Sequence, residues 1–128
     1  MAAPLEEISG LRAAVDRVEF NPNIPATDER PYAFEYHITI HNDSEFAVTI
    51  KGRKWVVTSL STGHRMVYEA EGVLSKFPHL IPGQKFPYKS YHIVDSDSVA
   101  EGSYLGLMEN GQRVLVRIPP FKMEVPPA

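Results

Sequence analysis

Between Pro31 and Asn42 large apolar side chains take every second position: Tyr32, Phe34, Tyr36, Ile38 and Ile40 alternate with Ala33, Glu35, His37, Thr39 and His41. A period of two belongs to a β-strand with one buried and one wet face, whereas 3.6-residue spacing would scatter these groups around a helix. The segment is expected to be the central strand of a sandwich, with Phe34 and Ile38 inside. Leu11 to Phe20, with Val15, Val18 and Phe20 among charged residues, permits a short helix or a first strand, of which the strand is the expectation. It is stopped by Asn21-Pro22-Asn23-Ile24-Pro25, where each proline lacks an N–H and biases its predecessor toward extended backbone. Downstream, Asn42-Asp43-Ser44 reads as a turn. Two strands follow, Phe46 to Ile50 and Lys54 to Ser59, with a break at Gly52 and Trp55 as a core anchor. Ser61-Thr62-Gly63 closes a hairpin whose second arm runs from His64 to Glu69. After the turn Leu80-Ile81-Pro82-Gly83 come a strand from Phe86 to Ile93 and a polar loop from Asp95 to Glu101. Gly102 to Met108 and Arg113 to Ile118 form a last hairpin around a two-residue Asn110-Gly111 turn, ended by Pro119 and Pro120.

Short strands with turn signals roughly every ten residues, and no long helix, predict an all-β, antiparallel β-sandwich or barrel, the sandwich being the expectation. The chain has no cysteine. That removes an immunoglobulin-like domain built on an inter-sheet disulfide and leaves a fibronectin type III-like sandwich. It also removes thiol nucleophiles and thiolate metal sites, and it fits a cytoplasmic protein. At 128 residues the expectation is one domain, residues 11–125, behind a flexible tail at residues 1–10. A net charge of −3 and a pI near 5.9 argue against a nucleic-acid partner. Neither a signal peptide nor a membrane-length apolar run is read in the sequence, so no membrane partner is expected.

The residues Tyr32 to Asn42, Gly52-Arg53-Lys54-Trp55, Gly72-Val73-Leu74, Pro78, Pro82-Gly83, Tyr88-Lys89-Ser90, Gly102-Ser103-Tyr104 and Ile118-Pro119-Pro120-Phe121 resemble, in this order, the bacterial ApaG proteins. The resemblance spans about residues 11 to 125. It implies a fibronectin type III-like sandwich that mediates protein contacts, an association with cobalt and magnesium tolerance, and no established enzyme activity. The family carries a Gly-x-Gly-x-x-Gly segment proposed to bind pyrophosphate. The matching positions are Ala70, Gly72 and Ser75, so two glycines are replaced, and the loop is expected to adopt positive φ less readily and to admit a phosphate less well.

No enzyme is expected. The chain lacks a Gly-x-Ser-x-Gly elbow, and Glu69 and Glu71 read as exposed carboxylates rather than an acid–base pair. Asp95-Ser96-Asp97-Ser98 starts like a calcium loop but continues with Val99 and Ala100, where a ligand and a glycine are required. His37 and His41 share a strand face yet stand roughly 13 Å apart, too far to chelate one ion. His64, His79 and His92 lie in separate segments and read as solvated imidazoles, so neither metal nor cofactor is assigned. The basic residues Lys51, Arg53, Lys54, His64 and Arg65 are expected near one another at one end or edge. Arg53, Lys54, His64 and Arg65, with Gly72 and Ser75, are the candidate anion-binding set, and Arg53 could instead brace the fold beside Trp55.

The leading expectation is therefore a non-enzymatic, ApaG-type interaction module with an unidentified protein partner. It would bind by strand addition at a sheet edge, or through the loops from Glu71 to Leu80 and Ile93 to Gly102. A homodimer through sheet edges is also expected, with Tyr32 to Ile40 or a neighbour at the border. The alternative is a small-anion, pyrophosphate or nucleotide binder or hydrolase, with a phosphate-containing ligand at the loop near Gly72.

Overall fold

The structure, a computed structural model, describes residues 5–127. Eight strands follow in chain order: β1 (Leu11–Phe20), β2 (Tyr32–Asn42), β3 (Val48–Ser59), β4 (Arg65–Glu71), β5 (His79–Leu80), β6 (Lys85–Val94), β7 (Ser98–Met108) and β8 (Arg113–Met123). They form two antiparallel sheets, β1-β2-β6 and β4-β3-β7-β8, with the short β5 paired to β3 beside β4. Among the described residues there is no helix, and none long and apolar enough to cross a membrane.

The alternation in β2 carries the core. Phe34, Tyr36, Ile38 and Ile40 are buried, Ile38 and Ile40 completely. They meet Val48, Ile50, Trp55, Val114 and Val116 in one cluster between the sheets. Each such side chain contributes about 1.5–3 kcal/mol by leaving water. Trp55 spans the layers as an anchor, its ring 5.0 Å from that of Tyr36. Strand β2 is the middle of its sheet, paired to β1 and β6. It is therefore not a border strand, and no sheet-edge contact can use it.

Several local expectations are corrected. Gly52 does not break a strand; the ladder to β7 slips by one residue between Ile50 and Gly52 and continues, a bulge in a single long β3. Ser98 to Glu101 belongs to β7 rather than to a loop. Pro119 and Pro120 do not end β8, which runs to Met123. Register slips between Ala100 and Gly102 opposite these prolines, and a border strand at a bulge is where missing N–H groups cost no ladder bond. The Asn110-Gly111 turn is a three-residue loop. Met108 N donates to Gln112 O and Gly111 N to Met108 O, with Gly111 at φ 86°, a type I turn plus one left-handed residue. His92 is not a solvated imidazole but is buried among Tyr36, Trp55 and Phe121.

At the N-terminal side, Met1 to Pro4 lie outside the described residues. Glu6 forms a parallel bridge to β8: its N–H donates to Arg113 O and its carbonyl accepts from Leu115 N–H.

Candidate functional site

A sheet border with unspent backbone groups is a place where another chain can add. Three of the four borders here are blunted. β1 bulges between Val15 and Arg17 and carries Arg12, Asp16 and Arg17. β6 carries Pro87 between Lys85 and Lys89. β8 carries its two prolines and the Glu6 segment. Strand β4 has no proline and no bulge, pairs in unbroken register from Gly52↔Glu71 to Thr58↔Arg65, and exposes every residue but the half-buried Met66.

Hydrogen-bond parity decides which β4 groups are spent. Beyond the strand ends Ser59 N donates to His64 O at 2.9 Å and Gly72 N to Lys51 O at 2.8 Å, so these are bonded pairs of the antiparallel ladder. Alternation then makes Met66, Tyr68 and Ala70 the residues that bond β3. The N–H and C=O groups of Arg65, Val67, Glu69 and Glu71 face away from the sheet. Val67 is 57% and Tyr68 39% exposed along this edge. Tyr68 accepts a hydrogen bond from Arg30 Nη1 at 3.3 Å and stacks on His92 of β6. At the Arg65 end the edge opens on a pocket of about 400 Å³, floored by Val57, Met66 and Ile93 and rimmed by Arg30, His64 and Asp95.

The six anion-binding candidates are not gathered into one site. Arg53 stands opposite Tyr104 and Ala70 on the inward face and donates from Nη1 to Glu71 O (3.1 Å) and Gly72 O (2.9 Å). It thus braces the end of β4. Lys54 points to the other face and lies 3.8 Å from Glu69. Arg65 pairs with Thr58, five residues along β3 from Arg53, roughly 16 Å away at strand rise, and His64 lies beyond it. Ser75 is in the same loop as Gly72.

That loop is closed on itself. Val73 and Lys76 exchange both backbone hydrogen bonds at 2.8 and 2.9 Å, leaving Leu74 and Ser75 at φ 50° and 62°, a type I′ turn without glycine. The expected reluctance to adopt positive φ is overridden, because Val73 is fully buried and pins the turn. The strain should be recoverable: Ser75→Gly is expected to stabilise the fold by about 0.5–1 kcal/mol, read as a raised urea midpoint. With Gly72, Val73 and Lys76 N–H already bonded to carbonyls, three donors of the segment are unavailable to a phosphate.

Other polar groups were not legible as neighbours in the sequence. Tyr88 and Tyr104 hydroxyls hydrogen-bond in the core, and burial raises the pKa of both, as it does that of Tyr36. Among the described residues, Trp55 Nε1 and His92 Nε2 are buried without a hydrogen-bond partner. On the outer face of β1–β2, Glu19, Glu35 and His37 present ligand-type atoms within 4.8 Å of one another. Their ligand-type atoms are already engaged. Arg17 bonds Glu19 at 2.6 Å and His37 lies 2.9 Å from Glu35, and this His37 contact, aided by Lys89 and Asn21, holds the Glu35 carboxyl below its usual range.

The sequence model of the ApaG domain matches residues 23–107. The chain is 33% identical over 124 residues to Protein ApaG of Aromatoleum aromaticum, covering 95% of this chain and 97% of that protein. It is 37% identical over 101 residues to Protein ApaG of Shewanella sediminis, covering 78% and 79%. In fold it superposes on the crystal structure of the putative ApaA protein from Bordetella pertussis with a TM-score of 0.78 at 23% identity, over 98% of this chain and 100% of that one. The two-sheet sandwich, the family motifs in strand order and these matches agree: the chain belongs to the ApaG family.

Proposed function

We propose that this chain is a non-enzymatic interaction module that takes an extended segment of a partner protein onto β4, extending the five-stranded sheet. The observation that carries the reading is the contrast between borders: β4 alone, among the described border strands of more than two residues, has neither proline, bulge nor covering segment. Added strands gain affinity from main-chain hydrogen bonds and selectivity from alternate side-chain contacts. Here the first would come from Arg65, Val67, Glu69 and Glu71, and the second from Tyr68, Met66 and the adjoining pocket. On this reading a role in cobalt or magnesium tolerance is exerted through the partner.

Val67→Pro tests it. The substitution deletes an outward N–H and no bond to β3, so the fold should persist while strand addition fails. Affinity capture from the native host with wild-type and Val67→Pro baits should lose specific partners with the variant, at an unchanged circular dichroism spectrum. Partners retained by a folded Val67→Pro bait would overturn the reading. The anion-binding alternative is tested in parallel by thermal shift with pyrophosphate and dinucleoside polyphosphates. A ligand at a hundred times its dissociation constant would stabilise by about 2.7 kcal/mol; the closed Gly72 loop supports an outcome of no shift.

A further inference from the structure

We propose that β4 is self-complementary, so that a second copy of this chain pairs with it antiparallel about a two-fold axis at Tyr68 and joins the two five-stranded sheets. The inference rests on the reading of β4 as the open edge and names one occupant for it. In this register Arg65 lies opposite the partner's Glu71, Met66 opposite the partner's Ala70, Val67 opposite the partner's Glu69, and Tyr68 opposite the partner's Tyr68. Outward-facing odd-numbered residues then meet outward-facing odd-numbered residues, as an antiparallel ladder demands.

Other registers fit less well. A one-residue slip sets spent groups against open ones. A two-fold at Glu69 opposes two like carboxylates, and one at Val67 shortens the pairing to residues 65–69. Within its own copy neither Arg65 nor Glu71 has an ion-pair partner among the described residues. The strand therefore carries an unmatched cation at one end and an unmatched anion at the other, which only antiparallel self-pairing brings together twice. It also places the exposed Val67 and Tyr68 beside a neighbouring strand. Seven paired residues cover less than the roughly 800 Å² per partner of a standard interface, so the dimer is weak, concentration-dependent and displaceable by a better-matched strand.

Sedimentation velocity on the full chain, from micromolar to near-millimolar, should show a reversible dimer. Arg65→Glu or Glu71→Arg alone should each raise its dissociation constant about tenfold, and the double exchange should restore it. Because the chain has no cysteine, register can be read directly. Tyr68→Cys should give a disulfide dimer on mild oxidation. Val67→Cys should not, its Cα atoms lying roughly 7–8 Å apart on the diagonal of the pairing. A wild-type chain that stays monomeric throughout, a double exchange that does not restore association, or Val67→Cys cross-linking as readily as Tyr68→Cys would each overturn the proposal. A monomeric wild type whose partner capture is still lost with Val67→Pro would sink self-pairing and leave strand addition standing.

Discussion

Between pH 7 and pH 4 the folded state should lose about 3 kcal/mol through one side chain, His92. The imidazole is packed among Tyr36, Trp55, Tyr68 and Phe121, and burial lowers its pKa to about 4 from an ordinary 6.5. The unfolded chain therefore binds a proton near pH 6.5 that the folded chain refuses until about pH 4. Stability is complete above the unfolded value and drains away as pH falls through that window. His92→Phe should keep the packing, remove the unpartnered Nε2 and abolish the drain. Urea unfolding at pH 7 and pH 4 should show a loss larger in wild type than in the variant by about 3 kcal/mol; equal losses would contradict the burial argument. Glu35, whose pKa is lowered first by the His37 contact, acts in the same direction below the carboxylate range, so neither protein should be flat down to pH 3.

Gly72→Ala is expected to destabilise by about 3–4 kcal/mol, the largest effect of any single methyl group near the site. Gly72 sits at φ 63°, and a Cβ there would lie 2.2 Å from the Lys76 carbonyl oxygen. That oxygen accepts from Val73 N–H, so the loop cannot yield without breaking the type I′ turn and lifting Val73 from the core. Gly72 O also receives the Arg53 guanidinium, so moving it would leave a half-buried cation short of an acceptor and loosen the end of β4. The measurement is the urea midpoint of Gly72→Ala against Ser75→Gly in the same loop. Opposite signs are predicted, because in Ser75→Gly strain is relieved and in Gly72→Ala it is imposed.

How far the sequence could be read follows from which information is local. The β2 alternation is written in consecutive residues, and one buried face leaves little choice of register, so Phe34 and Ile38 could be placed inside from the pattern alone. Strand ends were less legible where tertiary context overrides a local signal. Pro119 and Pro120 sit inside β8 because that strand is a border, and Gly52 sits inside β3 because a bulge absorbs the irregularity. Whether a strand is central or marginal is a property of topology, which no window of residues contains. Hence β2 could be suspected at a border that it does not occupy, and the β4 edge could not be named in advance. The basic cluster dispersed for a related reason: Arg53 and Lys54 are adjacent in sequence and so on opposite faces, while Arg65 is distant along the ladder. The Gly72 segment reads in sequence as a connecting loop that resembles a phosphate loop short of glycines, and long-range pinning by Val73 and Arg53 sets its conformation.

Strand β4 presents alternate, unspent backbone groups to its surroundings, and amide hydrogen exchange resolved by residue tests this most directly. At concentrations low enough to keep the chain monomeric, the amides of Val67 and Glu69 should exchange rapidly, while those of Met66 and Tyr68, bonded to β3, are protected. Val67 and Glu69 protected as strongly as Met66 and Tyr68 in the monomer would mean that this edge is already closed, and would contradict the account.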